Sequence, residues 1–409
     1  MKHSKIALAL TATVSLLSLT ACNDNNDTTD ANSSQGATYV SEANYGLDSV
    51  DNTSSIKVMT YNMTNLQGKS AQATALVLFP KAIQPKDGYR VVVWEHGTVG
   101  AGDDCAPSKN KIHPRFKILA DTLLAAGYVI VAPDYEGLGA KGIHPYLNLQ
   151  SEANSAIYAV KAVKEKMGKS LSGDWISIGQ SQGGHASLGI AQYAAQDSSY
   201  KGTVATAPAS SLGDIITKIA PTAIAGIETQ SQTFAASVYA ELLSYAAYTA
   251  AGIKAYAPDF DYGVMFQPRS QAIAVNAEGT TGDNGLCLGD MMGMYFADIQ
   301  KFLAEDTSRK VMDYPAFVAG FEKTPLIAKF LMDSQPGTQK LTKPALVVQG
   351  KADSAVPYQV TEAMVAGLNA LGSDPKVQLD LVEDAKHTEA IVQRNAEIVE
   401  FIKTILPTP

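Results

Sequence analysis

Asp174-Trp175-Ile176-Ser177-Ile178-Gly179-Gln180-Ser181-Gln182-Gly183-Gly184-His185-Ala186-Ser187-Leu188 is the stretch that decides the fold. An apolar run, Asp174–Gly179, reads as a strand, and Gln182–Ala195 reads as a helix that begins one residue after a serine. The pattern G-x-S-x-G is weak alone, since a chain of this length meets it by chance with a probability of roughly 0.1–0.15. Its placement is stronger, because a buried strand turning directly into a helix is what a nucleophile elbow requires. The glycines suit a tight turn whose backbone crosses close to its neighbours. Ser181 would then stand exposed above the strand end, with the free N–H groups of the helix start aimed at a developing oxyanion.

Outward from this turn the chain alternates strand-like and helical runs. Ile56–Tyr61, Thr74–Phe79, Arg90–Trp94, Tyr128–Ala132, Gly202–Thr206, Ala345–Gln349 and Lys376–Leu381 read as strands. Several, such as Val91-Val92-Val93-Trp94, are continuously apolar, as strands buried on both faces of a parallel sheet are. Arg115–Ala126, Ser151–Met167, Tyr358–Leu371 and Glu389–Ile405 read as helices, and the alternation means α/β with right-handed crossovers. It breaks between Ala209 and Lys340, where Ala, Tyr and Met recur at helical spacing, as in Phe234–Ala251. That stretch reads as a mainly helical cap inserted into the domain. Its Met and aromatic residues either form its own core or line an acyl-binding tunnel. The composition, 46% hydrophobic and 18% charged over 409 residues, excludes disorder, collagen and a coiled coil.

A serine hydroxyl needs a base to become a nucleophile. Of the six histidines, His3 lies near the N-terminus and His96, His113, His144 and His185 precede or abut the elbow. Only His387 follows the last strand. The acid belongs at the end of the preceding strand, where Ala345-Leu346-Val347-Val348-Gln349-Gly350-Lys351-Ala352-Asp353 supplies Asp353. The order Ser181, Asp353, His387 is that of an α/β-hydrolase fold, with a mostly parallel central sheet and the cap between serine and acid. The opposing reading is a solvated loop aspartate and a surface histidine. The loop after the Val91–Trp94 strand, Glu95-His96-Gly97-Thr98-Val99-Gly100, would complete the oxyanion hole, with the N–H of Gly97 or Thr98 joining that of Gln182. His96 itself reads as a buried structural group.

At the N-terminus, Lys2 and Lys5 precede an apolar run, Ile6–Leu19, that falls short of the ~20 residues a bilayer span needs but fits a signal peptide. It ends in Leu19-Thr20-Ala21-Cys22, which resembles a bacterial lipobox with Cys22 as the lipidated residue. The plainer alternative is a secretory signal with an incidental cysteine. Asn23–Thr38 is polar and reads as a flexible tether, and the resemblance to enterobacterial lipoproteins, in which an Asp after the cysteine favours inner-membrane retention, implies for Asn23 an outer-membrane or cell-surface destination. In an oxidising compartment the remaining thiols, Cys105 and Cys287, most simply form a disulfide; the alternative is two unrelated free thiols. The net charge of −8, with no basic cluster, argues against nucleic acid. Gly137-Leu138-Gly139-Ala140-Lys141-Gly142 spells a dinucleotide pattern but leads into loop rather than helix. Asp259-Phe260-Asp261 reads as turn chemistry, and no spacing suggests zinc. Neither cofactor nor metal is expected.

His96-Gly97-Thr98, Ala132-Pro133-Asp134-Tyr135-Glu136-Gly137-Leu138-Gly139, His144-Pro145-Tyr146 and Gly179-Gln180-Ser181-Gln182-Gly183-Gly184 carry a family resemblance. Through them the chain resembles the secretory lipase family, which includes the yeast lipase A-type enzymes, over most of residues 45 to 405. The resemblance implies a secreted lipase or esterase with a cap over an acyl tunnel. The lipobox and tether depart from the free-enzyme pattern. The expectation is therefore a serine carboxylic-ester hydrolase working through an acyl-serine intermediate. It would be a monomer, anchored through Cys22 to a membrane, at the cell surface or in the periplasm, with a small-molecule or lipid ester as substrate. A peptidase or amide hydrolase with the same triad, and a non-catalytic binding protein on the same scaffold, are the alternatives. The expected organisation is a signal peptide at 1–21, lipidated cysteine and tether at 22–44, hydrolase core at 45–208 and 341–409, and cap at 209–340.

Overall fold

In the computed structural model, which describes residues 37–409, nine strands form one sheet in the order β1-β2-β3-β5-β4-β6-β7-β8-β9. They are β1 (Tyr39–Asn44), β2 (Thr53–Thr64), β3 (Ser70–Pro80), β4 (Tyr89–Glu95), β5 (Val129–Pro133), β6 (Leu171–Gln180), β7 (Tyr200–Thr206), β8 (Ala345–Gly350) and β9 (Gln378–Val382). β1, β2, β3 and β5 pair antiparallel, and from β5 through β4 to β9 every pairing is parallel. The parallel part therefore presents the C-terminal ends of β4, β6, β8 and β9 along one rim, where loops can converge. The signal segment, Cys22 and the tether as far as residue 36 lie outside the described residues.

Strand alternation feeds two cores. Val91 and Val93 of β4 point into one apolar cluster, Val92 and Trp94 into another. The first is closed by α2 (Leu149–Met167) and α3 (Gln182–Tyr193), and the second by α1 (Pro114–Ala125).

Two boundaries differ from the sequence expectation. Tyr39–Asn44, assigned to the tether, is a strand of the sheet. Apart from half-buried Tyr39 its side chains are exposed, so it carries no apolar alternation to read. Backbone pairing with β2 holds it, together with the Glu165 carboxylate, which accepts from the Thr38 and Tyr39 N–H groups at 2.8 and 3.1 Å. The other concerns the single helix expected at Glu389–Ile405.

Between β7 and β8 the chain is helical. α4 (Leu212–Asp214) runs through a π-helical turn, Ile215–Ile219, into α5 (Ala220–Glu228). α6 (Gln232–Tyr256), α7 (Pro268–Ala274), α8 (Leu288–Ala304) and α9 (Pro325–Asp333) follow. Leu243, Tyr248, Phe266, Met291, Tyr295 and Phe330 bury in a cluster built mainly from this segment, which Ala101, Tyr146 and Leu147 join from outside it. After β8 come α10 (Tyr358–Ala370), α11 (Ala390–Gln393) and α12 (Asn395–Ile405). Arg394, at φ −105° and ψ 19°, separates the last two helices, and its Nε donates to the Asp380 carboxylate at 2.8 Å.

Cys105, at the end of a short 3-10 turn, is bonded to Cys287, the N-cap of α8, across 182 residues of sequence. The bridge ties the loop after β4 to the helical segment, and Gly100 pairs with Cys287 beside it. Closing so long a loop restrains the unfolded chain, so Cys105→Ser should lower stability by about 2–4 kcal/mol. A denaturant titration that finds the variant as stable as the parent protein would refute this.

Candidate active site

Ser181 is the single residue between β6 and α3, at φ 59° and ψ −117°, a region L-residues rarely occupy. Its own N–H donates to the Thr206 carbonyl at 2.9 Å, and its carbonyl accepts from His185 and Ala209 at 2.9 and 3.2 Å. The flanking glycines are obligatory for packing. A Cβ on Gly179 would collide with the Gly183 carbonyl and the Glu95 side chain, and one on Gly183 with the Glu95 carbonyl. The turn is thus wedged against the end of β4.

The three expected residues meet at the rim. His387 Nε2 lies 2.7 Å from Ser181 Oγ, and His387 Nδ1 lies 2.8 Å from Asp353 Oδ2. The Asp353 side chain is wholly buried, and every contact on it is a donor. Ala355 and Val356 N–H groups bond Oδ1 at 2.9 and 2.8 Å, and Gln349 Nε2 bonds Oδ2 at 2.9 Å. With a carboxylate oxygen as its acceptor, Nδ1 is the nitrogen that carries the proton, and Nε2 faces the Ser181 hydroxyl as an acceptor.

The oxyanion candidates lie around the same hydroxyl. Gln182 opens α3, so its N–H has no intrahelical acceptor. Gly97 runs past the elbow, its Cβ position 3.7 Å from that of Ser181. Neutral His96 donates from Nδ1 to the Gly97 carbonyl at 2.7 Å. That carbonyl and the Thr98 N–H belong to one peptide plane and point oppositely, so the bond turns the Thr98 N–H away from His96. The Thr98 hydroxyl meets the Tyr146 hydroxyl at 2.7 Å.

Beneath the elbow lies a polar cluster that sequence reasoning missed. Glu152 accepts from Gln182 Nε2 at 2.9 Å, from the Leu147 N–H at 3.1 Å and from His185 Nδ1 at 2.6 Å. His185 Nε2 reaches the Ser334 carbonyl at 2.8 Å, so both ring nitrogens face acceptors. His144 accepts from Gln182 Nε2 at 3.1 Å and donates to the Glu136 carbonyl at 2.8 Å. Glu95 is buried with neither carboxyl oxygen hydrogen-bonded, and the Tyr135 hydroxyl beside it donates instead to the His96 carbonyl. Burial lifts the Glu95 carboxyl well above the usual carboxylate range. Gln349 had a signal available: it is the one polar side chain in an otherwise apolar strand. The members of the Glu152 cluster had none, because they come from three separate segments.

Two cavities open on Ser181 and share Tyr245 and His387 as walls. One, of about 430 Å³, runs under Trp94, Phe116 and Ile112 past the disulfide. The other, of about 90 Å³, is walled by apolar residues such as Ile216, Leu242, Met265, Phe321 and Leu331. The Gly137–Gly142 stretch is loop, and Asp261 caps a short turn by accepting from Gly263 N–H at 2.8 Å. Among the described residues no group of three or more His, Cys, Asp or Glu side chains is placed to hold a metal, and no helix is long and apolar enough to cross a membrane.

A mostly parallel sheet whose strand ends carry serine, acid and histidine in this order has the α/β-hydrolase fold. Solved structures agree on that fold. A Legionella pneumophila protein matches with a TM-score of 0.67 and 19% identity, over 90% of this chain and 98% of that one. A mutant form of the rice cell wall degrading esterase LipA from Xanthomonas oryzae matches at 0.64 and 19%, over 90% and 98%. Candida antarctica lipase A in its closed state matches at 0.66 and 18%, over 91% and 83%. No protein-family model and no curated protein matches the sequence.

Burial lowers His96 from 6.5 to about 4 and His144 from 6.5 to about 3. As pH falls through 6.5 the unfolded chain binds a proton at each, whereas the folded protein does not until the lower values. These two histidines should therefore withdraw stability between pH 6.5 and about 4, by on the order of 3 kcal/mol each, while the Asp134 carboxyl, raised by burial to about 6, acts in the opposite sense. His144→Gln should flatten that slope in a series of melting curves. An unaltered pH profile for the variant would contradict the assignment.

Proposed function

We infer that this protein is a serine carboxylic-ester hydrolase acting through an acyl-serine intermediate. The observation that carries the reading is the continuous relay from Ser181 Oγ through His387 to buried Asp353. Ser181 Oγ attacks the ester carbonyl while His387 Nε2 takes its proton. The oxyanion is held by the N–H of Gln182 with that of Gly97 or Thr98. Collapse expels the alcohol, which receives the proton from His387. Water then repeats the sequence on the acyl-serine and releases the acid. The Xanthomonas protein is an esterase and the Candida protein a lipase, which supports this chemistry. Tethering at an outer membrane or cell surface is part of the proposal and rests on the lipobox-like segment ending at Cys22.

Ser181→Ala should abolish turnover of p-nitrophenyl esters and labelling by a fluorophosphonate probe. Undiminished labelling would sink the reading.

The junction at Ser181 divides an ester into two halves. The narrow apolar chamber suits the acyl group, and the wide cavity, whose mainly apolar lining also carries Lys111, His113 and Arg115, suits the alcohol. At about 90 Å³ the chamber is smaller than the ~150 Å³ cavity that holds benzene in an engineered protein core. Acyl chains of about four carbons or fewer should thus be preferred. Across a p-nitrophenyl series from acetate to palmitate, kcat/KM should peak at the short end, and Leu242→Ala should move the peak to longer chains. A maximum at palmitate in the parent protein would refute the chamber as the acyl site.

A further inference from the structure

The wide cavity carries charge that the relay does not use. Lys111, His113 and Arg115 all line it, the first two just before α1 and Arg115 in its first turn. Among the described residues neither the exposed Lys111 ammonium nor the half-buried Arg115 guanidinium makes an ion pair or a hydrogen bond, and Arg115 stands out because most other half-buried basic groups here are paired. Arg90, Arg269 and Arg309 each hold a carboxylate. Burial alone acts on Arg115, lowering its pKa, with no acid to counter it. His113 accepts from the Arg115 N–H at 3.2 Å, and burial and the neighbouring guanidinium push its pKa down, so it stays neutral. The sole acid in the lining is Glu241, whose Oε1 is already engaged by the Tyr245 hydroxyl at 2.6 Å. In a chain of net charge −8, two uncompensated cations on one cavity wall are a local reversal of sign.

A half-buried guanidinium without a carboxylate gives up hydration and gains nothing within the folded chain. The deficit is made good when an anion enters, and a guanidinium offers a planar fork that suits carboxylate or phosphate oxygens. We propose that the wide cavity is an alcohol-side subsite for an anion, in which Lys111 and Arg115 bind a carboxylate or phosphate carried by the alcohol half of the ester. The substrate class is then short-chain acyl esters of hydroxy acids or of sugar or polyol phosphates. This rests on the esterase reading for its catalytic consequence, while the binding of the anion stands apart from it.

The test pairs substrates that differ only in charge: 4-acetoxybenzoate against 4-acetoxybenzamide, and acetyl glycerol 3-phosphate against monoacetin. The ratio of kcat/KM, anionic over neutral, should exceed one by about tenfold or more in at least one pair. It should collapse towards one in Arg115→Gln and Lys111→Gln, and shrink as salt is raised. Whichever pair shows the larger ratio identifies the anion. Calorimetric titration with 4-hydroxybenzoate, 4-hydroxybenzamide, glycerol 3-phosphate and glycerol reads the same preference without chemistry. Binding that favours the anion in the parent protein and not in the variants, together with no turnover of any ester, would overturn the esterase reading and leave the anion site standing. A ratio near one for both pairs in the parent protein, or a preference that survives in the Lys111→Gln, Arg115→Gln double variant, would overturn the proposal.

Discussion

The rest of the molecule depends on a steric constraint: β6, a one-residue turn and α3 must pass within atomic contact of the end of β4. Ser181 sits at a positive φ, which for a non-glycine residue costs on the order of 1–3 kcal/mol. That strain persists because the Thr206 carbonyl holds the Ser181 N–H and because Gly179 and Gly183 leave Glu95 no side chain to displace. Any bulk there would push α3 off the sheet, and with it the serine and the N–H of Gln182. The parallel pairing of β4, β6, β7, β8 and β9 does the remaining positioning. It brings the loops after β8 and β9, and therefore Asp353 and His387, to the same edge as the turn after β6.

Below this edge, buried polar groups take over from apolar packing. Glu152 gathers Gln182, His185 and the Leu147 N–H, and His185 passes on to the Ser334 carbonyl at the end of α9. A cluster of this kind is stable only when its members are satisfied together, and this one joins the nucleophile helix, the start of α2 and the helical segment between β7 and β8. Orientation of Gln182 at the start of α3 is thereby coupled to how that segment is seated. Glu95 is the exception. Its carboxyl is buried and unbonded, and burial raises its pKa well above the usual carboxylate range.

The helical segment has a core of its own and also supplies the walls of the narrow chamber. α6 serves both ends: Leu243 and Tyr248 bury in the segment's core, while Leu242, Tyr245 and Ala246 belong to the same apolar cluster and also wall the chamber that opens on Ser181. The two readings of its aromatic and Met-rich composition are therefore not exclusive. A long helix has enough circumference to do both.

Much of the site was legible in the chain because the local rules are strong. A glycine-flanked serine between an apolar run and a helix has few other structural uses. With strands read from their apolar runs, strand order along the chain left one histidine and one aspartate in position. The cysteine pairing was reachable by counting. By contrast, β1 was invisible because an exposed edge strand held by backbone bonds leaves no apolar period, and the break at Arg394 because no Gly or Pro in Gln393-Arg394-Asn395 announces it. The Glu152 cluster, the unpaired state of Arg115 and the division of space around Ser181 into a narrow and a wide cavity belong to the tertiary structure alone. Local pattern records what a residue prefers next to its neighbours in sequence. Charge compensation, hydrogen-bond satisfaction and cavity shape are sums over residues that only folding brings together, so no stretch of sequence contains them.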